Sequence, residues 1–268
     1  MLFRILSALV GLPIIFGVVV FGPHSLFVFC CLVASLGTLE LSRLLTRINV
    51  KLRIGPSLLI TIITVANGYV SNRFLLEIFC LSLGISAILF LRQPFNKSSV
   101  VDSLTTFSSP FILGIPFSII LVIRAMEGGV SWIILILLVT FGTDSFAYFV
   151  GKLFGRRMMA KTISPSKTLE GALGGLIGGL ILGTIWGGLS ALNLPTWQAA
   201  LFGLTLSVSG QIGDLIESAF KRAVDVKDSG GLIPGHGGIL DRVDSVALNT
   251  VVAYYLIILF GYFEKIAL

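Results

Sequence analysis

The side chains best suited to chemistry are concentrated in one stretch, Asp214 to Asp244, which reads DLIESAFKRAVDVKDSGGLIPGHGGILDRVD. On a helix, Asp214, Glu217, Ser218 and Lys221 fall at i, i+3, i+4 and i+7 and share one face. A carboxylate emerging there at the membrane boundary would face a pocket or an aqueous funnel, while the plainer use, a solvated helix end with Glu217 and Lys221 as an i, i+4 pair, suits Glu217 better than Asp214. The run from Ser229 through Gly230, Gly231, Pro234, Gly235, His236, Gly237 and Gly238 cannot continue the helix. Such a backbone can aim successive N–H groups at a phosphate, and His236 adds a donor or a proton acceptor. Asp241, Arg242 and Asp244 follow at once, hard oxygen ligands beside a guanidinium. Mg²⁺ takes one or two carboxylates and completes its shell with phosphate oxygens and water, so Asp214 and Asp241 are the expected metal ligands, with room for a second cation. An ordinary interfacial ion pair between Arg242 and Asp244 is the alternative.

A second polar stretch, GKLFGRRMMAKTISPSKTLEG, places Lys161, Ser164, Lys167 and Thr168 just before an apolar segment. Lysines and hydroxyls at a helix N-terminus suit a phosphate, although basic residues after a membrane span also serve topology and attraction to anionic lipid. Asp144 lies inside an apolar run, where a carboxylate is a functional candidate by default. Glu40, Asn67 and Gln211 are similarly placed, and each could instead bond across to a neighbouring helix.

The elements that must position these groups belong to a membrane. Of the 268 residues 55% are hydrophobic and only 12% charged, with a mean hydropathy of +1.01. Blocks of roughly 20 apolar residues, enough to cross a ~30 Å hydrocarbon core, recur along the chain. Nine helices are expected, near residues 5–22, 25–42, 54–71, 74–91, 104–123, 130–150, 169–190, 196–214 and 245–263. No alternating strands suggest a barrel. The expected fold is all-α, a polytopic membrane bundle with a cytoplasmic N-terminus. Residues 1–130 hold about five N-terminal spans, and residues 131–268 form a catalytic region with cytoplasmic loops 151–168 and 215–244. Orientation follows from charge: this count puts 16 of the 19 Lys and Arg residues on the N-terminal side, leaving Arg73, Arg124 and Lys265 opposite. A secreted, disordered or disulfide-built protein is excluded. The net charge of +6 reports topology rather than nucleic-acid binding, because no basic and aromatic strip accompanies it. Cys30, Cys31 and Cys80 sit in apolar runs without metal or disulfide spacing. The first apolar run lacks a small-x-small cleavage site and is read as a span.

Glycines recur at every fourth position of the seventh segment, Gly171, Gly175, Gly179, Gly183 and Gly187, with Gly174 and Gly178 beside them. This small-xxx-small stripe lets another backbone approach, either within the chain or at a homodimer seam.

Ser218 to Asp244, S-A-F-K-R, four residues, then K-D-S-G-G-L-I-P-G-H-G-G-I-L-D-R-V-D, resembles the signature of the phosphatidate cytidylyltransferases, also called CDP-diacylglycerol synthases. TDSFAYFVGKLFGRR and SPSKTLEG extend the resemblance over about residues 140–246. Ser166 stands where the family's SP-x-K-T element often carries a lysine. The resemblance implies an integral enzyme of the inner (cytoplasmic) membrane, its site facing the cytoplasm. It would condense CTP with phosphatidate, giving CDP-diacylglycerol and diphosphate, with Mg²⁺. The expected catalytic set is Asp214, Asp241, Asp244, Lys221, Arg242 and His236. Substrate contacts are expected from Asp144, Lys161, Ser164, Lys167, Thr168, Ser218, Arg222, Lys227, Asp228, Gly237 and Gly238. A CTP-dependent lipid kinase would use similar loops but transfer the γ-phosphate to an alcohol, and a transporter would use Asp144 and Glu40 as coupling groups.

Overall fold

The computed structural model describes residues 2–70, 73–231 and 237–265. Among these, nine α-helices are found: α1 (Leu2–Phe21), α2 (Pro23–Thr46), α3 (Ile54–Val70), α4 (Leu75–Leu91), α5 (Lys97–Ala125), α6 (Gly129–Phe154), α7 (Leu169–Leu189), α8 (Thr196–Ala223) and α9 (Leu240–Leu259). Two short strands, β1 (Met158–Ala160) and β2 (Ser164–Thr168), join α6 to α7, and a 3₁₀ turn covers Tyr262–Lys265. Six helices, α2 and α5 to α9, are long and apolar enough to cross a membrane, while α3 and α4 are shorter apolar helices of 17 residues. This is a multi-pass helical membrane protein.

The helix starts follow local chemistry. Gly22, at φ 137°, makes the sharp turn into α2, and Pro23 takes the first helical position, where its missing N–H costs nothing. Thr168 caps α7, its Oγ1 accepting the N–H of Gly171 at 3.1 Å. Three elements depart from the sequence expectation. Helix α8 runs on to Ala223, so the polar face from Asp214 to Lys221 is helical. Helix α9 begins at Leu240, which places Asp241, Arg242 and Asp244 in its first turns. The segment expected to be a loop before α7 holds an antiparallel hairpin, with Met158 opposite Thr168 and Ala160 opposite Ser164.

The chain divides into two compact units, Met1–Val122 with Val224–Asp241, and Ile123–Ala223 with Arg242–Leu268.

In the first unit α2 packs against α1 and α3, and α3 against α4. Leu26, Cys30, Val33 and Ala34 of α2, with Ile60 and Val65 of α3, are buried there. Gly114 makes close helix contact possible, because a Cβ there would lie 2.8 Å from Thr64. In the second unit α7 lies between α6 and α8, and its glycines explain the fit. A Cβ on Gly171 would stand 2.7 Å from the Ala147 carbonyl of α6, and one on Gly183 would stand 2.5 Å from the Gly203 Cα of α8. The stripe is used for packing inside the chain, with Gly174, Gly175 and Gly178 against α6 and Gly179 and Gly187 reaching α8. Buried hydroxyls and amides cross-link the same helices. Thr143 and Ser207 share a 2.7 Å bond, and Asn249 donates to Thr140 at 2.6 Å while accepting from Ser209 at 2.5 Å.

Candidate active site

A cavity of about 360 Å³ opens in the second unit where α6, the hairpin, α7 and α8 meet. Asp144, Tyr148 and Lys152 reach it from α6, Ser166, Lys167 and Thr168 from β2, Ala172 from α7, and Gln211 and Asp214 from α8. Strand β2 delivers Lys167 because the hairpin folds back on itself and is anchored on both sides. Glu170 accepts the N–H groups of Arg156 and Arg157 at 3.0 and 3.2 Å, and Arg222 Nε of α8 donates to the Ile163 carbonyl at 3.2 Å.

Across the cavity wall, Lys167 Nζ meets Asp214 Oδ2 at 2.5 Å, with the two side chains 25% and 32% exposed. The other Asp214 oxygen accepts the Ser218 hydroxyl at 3.3 Å, one helical turn on. Glu217 pairs with Lys221 at 2.5 Å, the i, i+4 pair that the sequence offered as the plainer use of this face. That pairing does not exhaust Glu217. Carboxylate oxygens of Asp214, Glu217 and Asp244 lie within 4.8 Å of one another. Glycine again permits the approach of α8 to α9: a Cβ on Gly213 would lie 2.8 Å from the Asp244 carbonyl, and one on Gly210 would lie 2.9 Å from the Asn249 amide. Three carboxylates so close together repel unless cations stand between them; Lys167 and Lys221 supply two positive charges at the margin, and a hard divalent cation fits the all-oxygen set.

The remaining candidates are distributed as follows. In the second unit Asp144, Lys167, Thr168 and Asp214 line the cavity, and Ser218, Lys221 and Asp244 stand beside it. Thr168 also caps α7, Ser164 pairs in the hairpin with Ala160, and Lys161 is exposed at the hairpin turn. Arg222 holds the hairpin and Arg242 is exposed on the first turn of α9. In the first unit Lys227 and Asp228 are exposed, Gly237 adopts φ 84°, and Gly238 is buried. Asp241 Oδ2 accepts the N–H groups of Ser229 and Gly238 at 2.9 and 2.8 Å. His236 lies outside the described residues. Of the intramembrane polar residues, Gln211 donates to the Ala172 carbonyl at 3.3 Å and Asn67 accepts from the Phe74 N–H at 3.0 Å. Glu217 as a member of the acidic group was not singled out by sequence; its signal was the shared helical face.

In its second unit this helical membrane protein gathers three carboxylates and two lysines beside a cavity, a set of groups able to hold a cation and an anion together. The family is definite: the chain belongs to the Cytidylyltransferase family, whose profile matches residues 2–260. It is 43% identical over 150 residues to the phosphatidate cytidylyltransferase of Bacillus subtilis (strain 168), a stretch that is 56% of each chain. It is 35% identical over 249 residues to the phosphatidate cytidylyltransferase of Staphylococcus haemolyticus, covering 90% of this chain and 93% of that one. The corresponding Staphylococcus saprophyticus protein is 34% identical over the same shares.

Proposed function

We propose that the protein condenses CTP with phosphatidate to form CDP-diacylglycerol and diphosphate, at the cytoplasmic face of the inner membrane. The observation that carries this is the Lys167–Asp214 pair at a cavity wall, next to a second lysine and two further carboxylates. Membership of the cytidylyltransferases and the names of the relatives support it. A phosphate oxygen of phosphatidate attacks the α-phosphorus of CTP, the bond from that phosphorus to the bridging oxygen breaks, and its electron pair leaves with diphosphate. The nucleophile is already an anion, so no general base is needed.

The protein's task is to bring two polyanions together and neutralise them. Lys167, freed from Asp214 by a competing phosphate, would hold one substrate phosphate, and Lys221 and Arg242 would offset charge nearby. Asp214, Asp244 and Glu217 would hold Mg²⁺. When bound, the ion supplies charge neutralisation for the phosphates and the departing diphosphate. Purified protein given CTP, phosphatidate and Mg²⁺, with each omitted in turn, should form CDP-lipid and diphosphate only in the complete mixture. Formation of CDP and a phosphorylated lipid alcohol would instead assign a kinase. Solute uptake into sealed vesicles without nucleotide turnover would assign a transporter.

A further inference from the structure

The polar lining of the cavity in the second unit includes one carboxamide, Gln211 of α8, and the chemistry above does not use it. Its Nε2 donates to the Ala172 carbonyl of α7 at 3.3 Å. That bond decides which way round the carboxamide sits, because with the amide turned over two oxygens would face each other. Oε1 is the end left over. Among the described residues no donor reaches it, and it is not sealed from the surroundings, so it stands as an acceptor fixed in direction at the cavity wall. Such an oxygen needs a ligand that brings a donor. Of the two substrates of the proposed reaction, the diacylglycerol part of phosphatidate carries only acceptors, whereas CTP carries N–H donors on the cytosine 4-amine and O–H donors on the ribose. The cavity, about 360 Å³, is of the size that takes a small ligand. Tyr148 lines it from α6, with Lys152 Nζ 5.8 Å from the ring centroid, and an aromatic ring stacks on any base. Stacking therefore cannot separate CTP from UTP. The two differ at one edge, where cytosine has an amine at position 4 and uracil an oxygen.

We infer that Gln211 is a specificity-determining residue for the nucleotide: its Oε1, aimed by the Ala172 carbonyl, accepts the 4-amine of cytosine and repels the 4-oxygen of uracil. The inference rests on the reading of the protein as a CTP-using enzyme. A freely turning amide would serve either base by exchanging its ends. Here that exchange breaks the bond to Ala172 and sets two oxygens against each other, so the tether is what makes the contact selective.

The test measures kcat/KM for CTP and for UTP with the parent protein, Gln211→Met and Gln211→Ala, folded protein being checked by size-exclusion chromatography. Methionine keeps the length of the side chain without its amide, and alanine removes it without adding bulk. In either variant kcat/KM for CTP should fall by about tenfold or more, the scale of one hydrogen bond, while that for UTP holds or rises. KM for phosphatidate should stay within about twofold of the parent value. A preference for CTP over UTP equal to that of the parent in a folded variant overturns the assignment. Equal losses with both nucleotides overturn it too, since they would place Gln211 against the ribose or in the support of the fold. If neither variant folds, the parent protein decides with the CTP analogue that carries hydrogen in place of the 4-amine: a loss of about tenfold or more supports the contact, and a rate equal to that with CTP overturns it. A parent protein that forms CDP-lipid but does not prefer CTP to UTP overturns this inference alone. One that forms no CDP-lipid removes the reading of the whole site, and the role of Gln211 with it.

Discussion

At the scale of single residues, Lys167 and Asp214 divide into a part that sequence could show and a part that it could not. Spacing alone puts Asp214, Ser218 and Lys221 on one face of α8, and the Ser218–Asp214 bond is the result. The 2.5 Å contact from Lys167 was hidden because it depends on how a hairpin of three and five residues folds against α8. Asp214→Asn keeps the size of the side chain but removes a charge from the acidic group, so turnover should fall by at least ~10²-fold if charge neutralisation supplies several kcal/mol. Asp244→Asn should behave alike, and both should need more Mg²⁺ for half-maximal rate; near-parent rates in both folded variants would remove the metal assignment. Lys167→Arg keeps the charge but replaces a compact ammonium with a planar fork, so it should lose rate with insertion unchanged. Lys97→Arg, exposed at the start of α5 in the other unit, is the comparison for a purely topological lysine. Equal rates in the two variants would return Lys167 to that background.

At the scale of elements, each α-helix among the described residues overlaps an apolar block read from the sequence, while ends were displaced where polar residues continued the helix beyond that block. Helices α8 and α9 show this best: the hydrophobic runs end near residues 214 and 245, but the backbone stays helical to Ala223 and from Leu240. The hairpin was not legible, since its strands are short, irregular in register and have no fully buried residue to set an alternating pattern. The glycine stripe was legible as a close-packing device but not as to its partner. Its test pairs two positions on α7. A Cβ on Gly183 meets backbone, which cannot swing aside as a side chain can, so Gly183→Ala should destabilise the detergent-solubilised protein by about 1–3 kcal/mol. Gly188 has nothing within 4 Å of an added Cβ, and Gly188→Ala should be neutral or raise the unfolding temperature slightly through helix propensity. Equal melting temperatures for the two would show that α7 does not need its small face.

At the scale of the whole molecule the open quantity is topology, and α3 and α4 decide how it is tested. A helix of 17 residues rises about 26 Å, at the short end of what spans a ~30 Å core. If both cross, Arg73 between them lies outside with Arg124 and Lys265. If both turn back before crossing, the parity of every later helix is unchanged and only Arg73 changes sides. The charge split is then 17 to 2 instead of 16 to 3 among the 19 basic residues, so charge counting alone hardly separates the two arrangements. Direct labelling does separate them. With Cys30, Cys31 and Cys80 replaced by alanine, single cysteines at Arg73, Lys161 and Arg124 would be treated with a membrane-impermeant maleimide on intact cells. Nine crossings with the N-terminus inside predict labelling at positions 73 and 124, and labelling at 161 only after the membrane is opened. Labelling at 124 without 73 would make α3 and α4 a re-entrant pair and leave the cytoplasmic site intact. Labelling at 161 in intact cells would place the hairpin, and with it Lys167, on the face where CTP is absent, which would overturn both the orientation and the proposed reaction.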